Sequence, residues 1–242
     1  MTSNIEHKSY THDEEKRLFD TLAESLKTPF LSIARSAELI ALTGDQEHLV
    51  SIRSMSDATL QLLDNYLLST RLQNAGENLI LEPVSLSASL MEVAHRLETR
   101  ARLQNCDIEV QIGGKYAPIM AHAVGLLAAL ESLGQVFIDA QSQRVHTSRP
   151  VIRLAAHRTR HGIVAGMFAD VEGLGVDVLR RAKQLYGKSR SPVVQMSAGG
   201  GAEVFVADAL LKNMSSGLRV ARYQKLSGLA ATFTPSLQLE LV

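Results

Sequence analysis

Two long amphipathic runs near the start of the chain constrain its fold more than any other feature. From Leu18 the apolar residues fall at Leu22, Leu26, Phe30, Ile33, Ala37 and Ile40, steps of three and four that define one helical face. A second run carries Leu49, Ile52, Met55, Leu60, Leu63 and Leu67. Thr43-Gly44-Asp45 separates the two, and Asn74-Ala75-Gly76 closes the second with glycine in the usual C-terminal place. The spacing predicts a helical hairpin over residues 17–76. Two helices alone cannot bury both stripes, so a second copy is expected to complete a dimeric four-helix bundle. A homodimer is therefore the first expected partner.

Residues 1–16 are polar and read as a frayed tail. After Gly76 the texture changes. An extended stretch leads into a helix with Ser85 or Ser87 near its start, then an alternating strand from Asp107 to Ile112. A strongly apolar helix spans residues 121–140, and "PVIRLAAHR" and "GIVAGMFAD" flank the turn at residues 160–162 as an antiparallel hairpin. A glycine-bearing turn (EGLGV) opens a helix with Leu179, Ala182 and Leu185. A loop rich in Gly, Ser and Pro follows, then the helix "AEVFVADALLKNM" and two final strands, "LRVARYQ" and "LAATFTPSLQLEL". Helices and antiparallel strands without regular βαβ alternation indicate an α+β sandwich over residues 77–242, with helices on one face of a mixed sheet.

Composition narrows the function classes. Of 242 residues, 45% are hydrophobic and 21% charged, which suits a folded soluble protein rather than a disordered one. Basic and acidic residues both number 25, so no overall field points to nucleic acid or an anionic membrane. The single cysteine, Cys106, has no partner for a disulfide, which fits a reducing, cytoplasmic setting. No apolar run approaches the roughly 18–20 residues of a membrane-spanning helix, and the N-terminus lacks the apolar core of a signal peptide. Arg149, Arg153, His157, Arg158, Arg160 and His161 lie along one expected hairpin, with Arg153 and His157 on a common face. That patch supports a competing reading as a nucleic-acid-associated regulator, against the simpler one of a solvated outer strand.

The order of elements resembles that of the sensor histidine kinases. "NYLLSTRLQNAGENLILEPVSL" is similar to the exit of their dimerisation and phosphotransfer hairpin, and "GLAATFTPSL" to their closing strand. The resemblance covers residues 18–242. It implies a phosphotransfer-type hairpin followed by an ATP-binding domain of the GHKL type.

Residue by residue, the same resemblance implies lost chemistry. In the family a His on the first helix accepts the phosphoryl group, an adjacent acid orients it, and a Thr-Pro follows. Here "ESLKTPF" places Glu24 and Ser25 at the His and acid positions and keeps Thr28 and Pro29. A carboxylate does not replace an imidazole nitrogen that takes phosphoryl near neutral pH. No histidine is expected on the first hairpin helix, His7 and His12 falling in the polar segment before it; His48, at the hairpin turn, is the nearest displaced candidate. Alignment by Leu126, Leu130 and Leu133 puts Ser132 and Val136 where two Asn residues stand in the family, the second a magnesium ligand. Valine offers a hard cation no oxygen. The first glycine box reads Val171-Glu172-Gly173-Leu174-Gly175, with Val171 at the place of the adenine-reading Asp and Asp170 and Glu172 beside it. The second is reduced to Gly199-Gly200-Gly201, with Glu203 just after it. Glycines before a helix can cradle an anion, but an acid in the first turn repels phosphate.

Losing the adenine–Asp bond costs roughly 1.5–3 kcal/mol, and losing the magnesium ligand about as much. Together ~3–6 kcal/mol moves a micromolar nucleotide site to the millimolar range. The sequence thus points to a dimeric, catalytically degenerate histidine-kinase-like protein, with no cofactor beyond weak ATP and magnesium and no metal site. Thr28, Ser32 and Arg35 are the expected docking residues for a response-regulator-like receiver or a true histidine kinase. The competing enzyme reading is a histidine kinase or phosphotransferase with displaced motif residues.

Overall fold

The computed structural model describes residues 3–45, 47–142, 148–170, 200–214 and 216–236. Helix α1 (Ser3–Thr43) and helix α2 (Glu47–Ala75) form the hairpin. The N-terminal segment expected as a frayed tail is helical from Ser3 onward, continuous with the amphipathic run behind it, so His7 and His12 lie on the first hairpin helix, where no histidine was expected. The helix passes through Pro29 without a break. Gly44, at φ +73°, ends α1 in a left-handed conformation that favours glycine, and the Thr43 hydroxyl there donates to the Leu39 carbonyl.

A single 3-10 turn (Gly76–Asn78) leads out of the hairpin to strand β1 (Glu82–Val84), helix α3 (Leu86–Leu103) and strands β2 (Asp107–Ile112) and β3 (Ile119–Ala121). Helix α4 (Ala123–Ser142), strands β4 (Val151–Thr159) and β5 (Gly162–Ala169), helix α5 (Gly200–Asn213) and strands β6 (Arg219–Tyr223) and β7 (Leu226–Phe233) complete the described elements. Ser85 caps α3, its hydroxyl accepting from the Ala88 N–H. The main sheet runs β2-β4-β5-β7-β6, with β2 and β4 parallel and the other pairs antiparallel; β1 and β3 form a separate antiparallel pair. The chain is thus α+β with a mixed sheet, as its sequence pattern indicates.

Strand alternation sorts the sheet into two faces. Ile152, Leu154, Ala156, Ile163, Ala165, Met167, Leu229, Ala231 and Phe233 face α3, α4 and α5 and form the main core with Leu90, Val93, Leu126, Leu130, Val206 and Leu210. On the second face Ala155, Val164, Phe168 and Ala230 make a smaller cluster with Ala221, Tyr223 and Leu226. The turn between β6 and β7 folds back over this face. The Tyr223 ring lies 5.4 Å from Phe168 and 5.6 Å from His157, and Gln224 reaches Arg153 at 3.4 Å although β6 is at the opposite edge from β2. Gly166 and Gly228 permit the tight contact of β5 and β7 beneath it. A Cβ at Gly166 would sit 2.1 Å from the Leu229 carbonyl oxygen, and one at Gly228 only 1.9 Å from that of Met167.

Among the described residues one helix, α4, is long and apolar enough to cross a membrane, a feature the sequence reading above did not anticipate. Its apolarity has a local cause: 67% of that span is buried, between the sheet on one side and the hairpin on the other.

Candidate functional site

The helical hairpin and the sandwich meet along a seam in which α2 packs on α4 and α5, and α1 packs on α5. The seam is apolar at its margins and polar along its middle. Leu22 on α1 and Leu62 and Leu72 on α2 are buried in the same core as Leu126 and Leu210. Between them the Asn65 side-chain N–H donates to the Ser132 hydroxyl at 2.9 Å, and that hydroxyl donates to the Ala128 carbonyl at 2.8 Å. One turn along, the Gln135 amide donates to Gln61 at 2.6 Å, and Asn213 on α5 donates to the Ser69 carbonyl at 3.0 Å. Asn65, Ser69, Ser132 and Gln135 are all buried. Polar groups withdrawn from water need such partners, and each of these has one.

Two of the residues singled out from sequence therefore sit in or beside this seam. Ser132 points at the hairpin and has its hydroxyl engaged on both sides. Val136, one turn on, is 2% exposed and offers no oxygen. Gly200 and Gly201 open α5, while Val171, Gly173, Gly175 and Gly199 lie outside the described residues. Glu24 and Ser25 lie on α1 before Pro29. Thr28 and Ser32 are half-buried and Arg35 is exposed.

A charged cluster closes the seam's far end. Arg100 on α3 grips both oxygens of Asp139 on α4, at 3.0 and 3.2 Å, and Arg96 reaches Glu131 one turn pair earlier at 3.6 Å. Glu203, in the first turn of α5, has a fully buried Oε2 with no hydrogen-bond partner. Burial pushes its carboxyl up from 4.5 to about 7, the nearby Asp139 adding to the rise and Arg100 opposing it. Among the described residues no three His, Cys, Asp or Glu side chains gather as a metal site requires.

The basic hairpin reads differently in three dimensions. Arg149 pairs with Asp107 at 3.1 Å and Arg153 with Glu109 at 3.0 Å, because parallel pairing of β2 with β4 brings those acids alongside. His157 does share the second sheet face with Arg153, but its ring lies under Tyr223 and burial holds its pKa below the usual histidine value.

Sequence reasoning missed Gln61, Asn65, Ser69 and Asn213 as members of one constellation. A signal was present: Ser132 and Gln135 are uncharged polar residues three apart in a mainly apolar helix, which marks a face packed on something polar.

No protein-family model and no curated protein matches the sequence. Solved structures do match. The Acinetobacter baumannii histidine kinase AdeS superposes with a TM-score of 0.55 at 10% identity, over 87% of this chain and 97% of that one. The fold is that of the sensor histidine kinases. Full-length ShkA in complex with AMPPNP gives a TM-score of 0.53 at 19% identity over 91% of this chain, which spans 46% of ShkA. At these identities the histidine-kinase likeness is one of fold.

Proposed function

We propose that the chain is a histidine-kinase-like signalling protein without autokinase chemistry, acting as a dimeric interaction module in a two-component-type pathway. The observation that carries this reading is the state of Ser132 and Val136. At the two positions where the resemblance asks for nucleotide and magnesium contacts, one hydroxyl is bonded to the chain's own hairpin and the other side chain is a buried valine. These residues do not fit a magnesium nucleotide, since a hard cation needs free oxygen ligands. Glu24 at the acceptor position supports the same reading, because a carboxylate does not replace the imidazole nitrogen that takes a phosphoryl group near neutral pH.

The dimer is supported by the hairpin's outer surface. Phe30, Leu31, Leu42, Leu49, Val50 and Leu60 are all at least half exposed. Burial of each against a second hairpin contributes roughly 1.5–3 kcal/mol when complete, far more than a monomer gains by leaving them in water. In this reading the receiver-like or kinase partner docks at Thr28, Ser32 and Arg35 on the same hairpin. Pairing of Arg149 and Arg153 with acids weighs against the nucleic-acid reading.

Incubation with labelled ATP and magnesium tests the proposal. The expected outcome is no acid-labile label on the chain, and its appearance at stoichiometric level overturns the reading in favour of an active kinase.

A further inference from the structure

We infer that the seam of α2 with α4 and α5 is a permanent joint that locks the sandwich to the hairpin, so that the two move as one body. The inference goes beyond the proposed function: it concerns how the parts are held, whether or not a nucleotide binds.

Three observations carry it. The first is a continuous core. Leu22, Leu62 and Leu72 from the hairpin are 4–6% exposed and belong to the same buried cluster as the sandwich helices. Separation returns those leucines and the matching faces of α4 and α5 to water, whereas an interface built for repeated opening is more polar and smaller.

The second is the pairwise matching of the polar middle. Gln61–Gln135, Asn65–Ser132 and Ser69–Asn213 lie on successive turns of α2, so a slide by one turn unpairs all three. Leucines supply the affinity and these pairs select one register. Gly125 tightens that register, since a Cβ there would lie 2.9 Å from the Leu72 Cδ1.

The third is the connection. A mobile joint needs slack, and residues 76–81 have none. Gly76–Asn78 form a 3-10 turn, Leu79 and Leu81 pack on the core, and β1 is tied to β3 at once.

The test uses the intact chain and its own buried thiol as reference. Cys106 is 1% exposed at the start of β2, remote in sequence from the hairpin, and reacts only when the sandwich opens. Leu72→Cys places a second thiol in the seam. With each rate normalised to that in denaturant, a permanent joint gives thiol modification at the two sites within about threefold, because both await the same global opening. Modification of Leu72→Cys on the order of 100-fold faster than Cys106 overturns the inference, since the hairpin then leaves on its own. Hydrogen exchange on the unmodified protein guards against an effect of the substitution. Amides at 59–72 and 125–136 are expected to exchange as slowly as those of β4 and β5, and faster exchange confined to the seam overturns the joint. Neither readout depends on phosphorylation, so failure here is distinct from failure of the pseudokinase reading.

Discussion

Glu203 on α5 stands in the field of Asp139 on α4, whose carboxylate is gripped through both oxygens by Arg100. The arrangement places one paired acid and one buried acid at the same end of the hairpin–sandwich seam. Glu203 holds its proton to about pH 7, against an ordinary 4.5, chiefly because its carboxyl is buried. A raised carboxyl pKa means the folded state binds the proton more tightly than the unfolded chain. Its contribution to stability is therefore complete below about pH 4.5 and is lost as the pH climbs to 7. Glu203→Gln keeps the shape without the charge. The variant is expected to match the parent near pH 4.5 and to exceed it by on the order of 2–3 kcal/mol at pH 8. Urea unfolding at the two pH values checks this, and an unchanged pH slope in the variant sinks it.

Asn65→Ala leaves the Ser132 hydroxyl buried without its donor. The expected loss is about 1–2 kcal/mol, more than an exposed asparagine would give, because the hydroxyl keeps its bond to Ala128 but its buried acceptor site loses its donor and stays desolvated. Ser132→Ala in the same background is expected to recover part of that loss, since both polar partners are then gone. A double-mutant cycle in urea measures the coupling, and additive effects would mean the bond contributes nothing.

Much of this fold was legible from pattern. The 3.6-residue period located α1 and α2, and strand alternation located β2 and the β4–β5 hairpin, because each element shows one face to a core and repeats that choice along its length. The seam was not legible, because nothing in a single helix says which neighbour its polar residues will meet. Asn65 looks like a solvated asparagine until α4 is laid beside it. Arg149 and Arg153 left a basic-patch reading open beside that of a solvated strand, because the acids that pair with them, Asp107 and Glu109, sit more than forty residues earlier and meet them only through parallel strand pairing. The fold-back of Tyr223 was equally hidden, since it depends on tight packing permitted by Gly166 and Gly228.

His157 lies on that second face, beneath Tyr223 and in the field of Arg219. Burial, aided by Arg219, lowers its pKa below the usual histidine value. A depressed histidine favours the neutral ring in the fold. Its contribution is present above about pH 6.5 and is lost as the pH falls, when the ring must charge beside another cation. His157→Gln is expected to flatten the loss of thermal stability between pH 7 and 5 while leaving Tm at pH 8 little changed. Melting curves over that range decide it, and an identical acid slope in both proteins refutes the assignment.

The same Gly-to-Ala change is expected to act by different physics at two places. At Gly228 the new methyl meets the Met167 carbonyl at 1.9 Å, an overlap backbone cannot relieve cheaply, and the loss should reach about 3 kcal/mol or more. At Gly44 no atom lies within 4 Å, so only the positive φ is penalised, at roughly 1 kcal/mol. Comparison of urea midpoints separates the two, and equal effects would show that β5 and β7 do not approach as closely as described.

The outer surface of the hairpin supplies the last prediction. Phe30 and Leu60 are each more than half exposed on helices whose inner faces are already packed. Replacement of both by Glu removes the apolar area that a second copy would cover and sets like charges across a two-fold axis. The native chain is expected to run as a dimer at micromolar concentration in light scattering, and the double variant as a monomer with an unchanged circular dichroism spectrum. Met91, equally exposed but on α3, serves as control, since Met91→Glu should leave the mass at that of the dimer. A native monomer, or a dimer indifferent to both hairpin charges, would remove the bundle from the proposed function. The docking proposed at Thr28, Ser32 and Arg35 would then have to be made from a single hairpin.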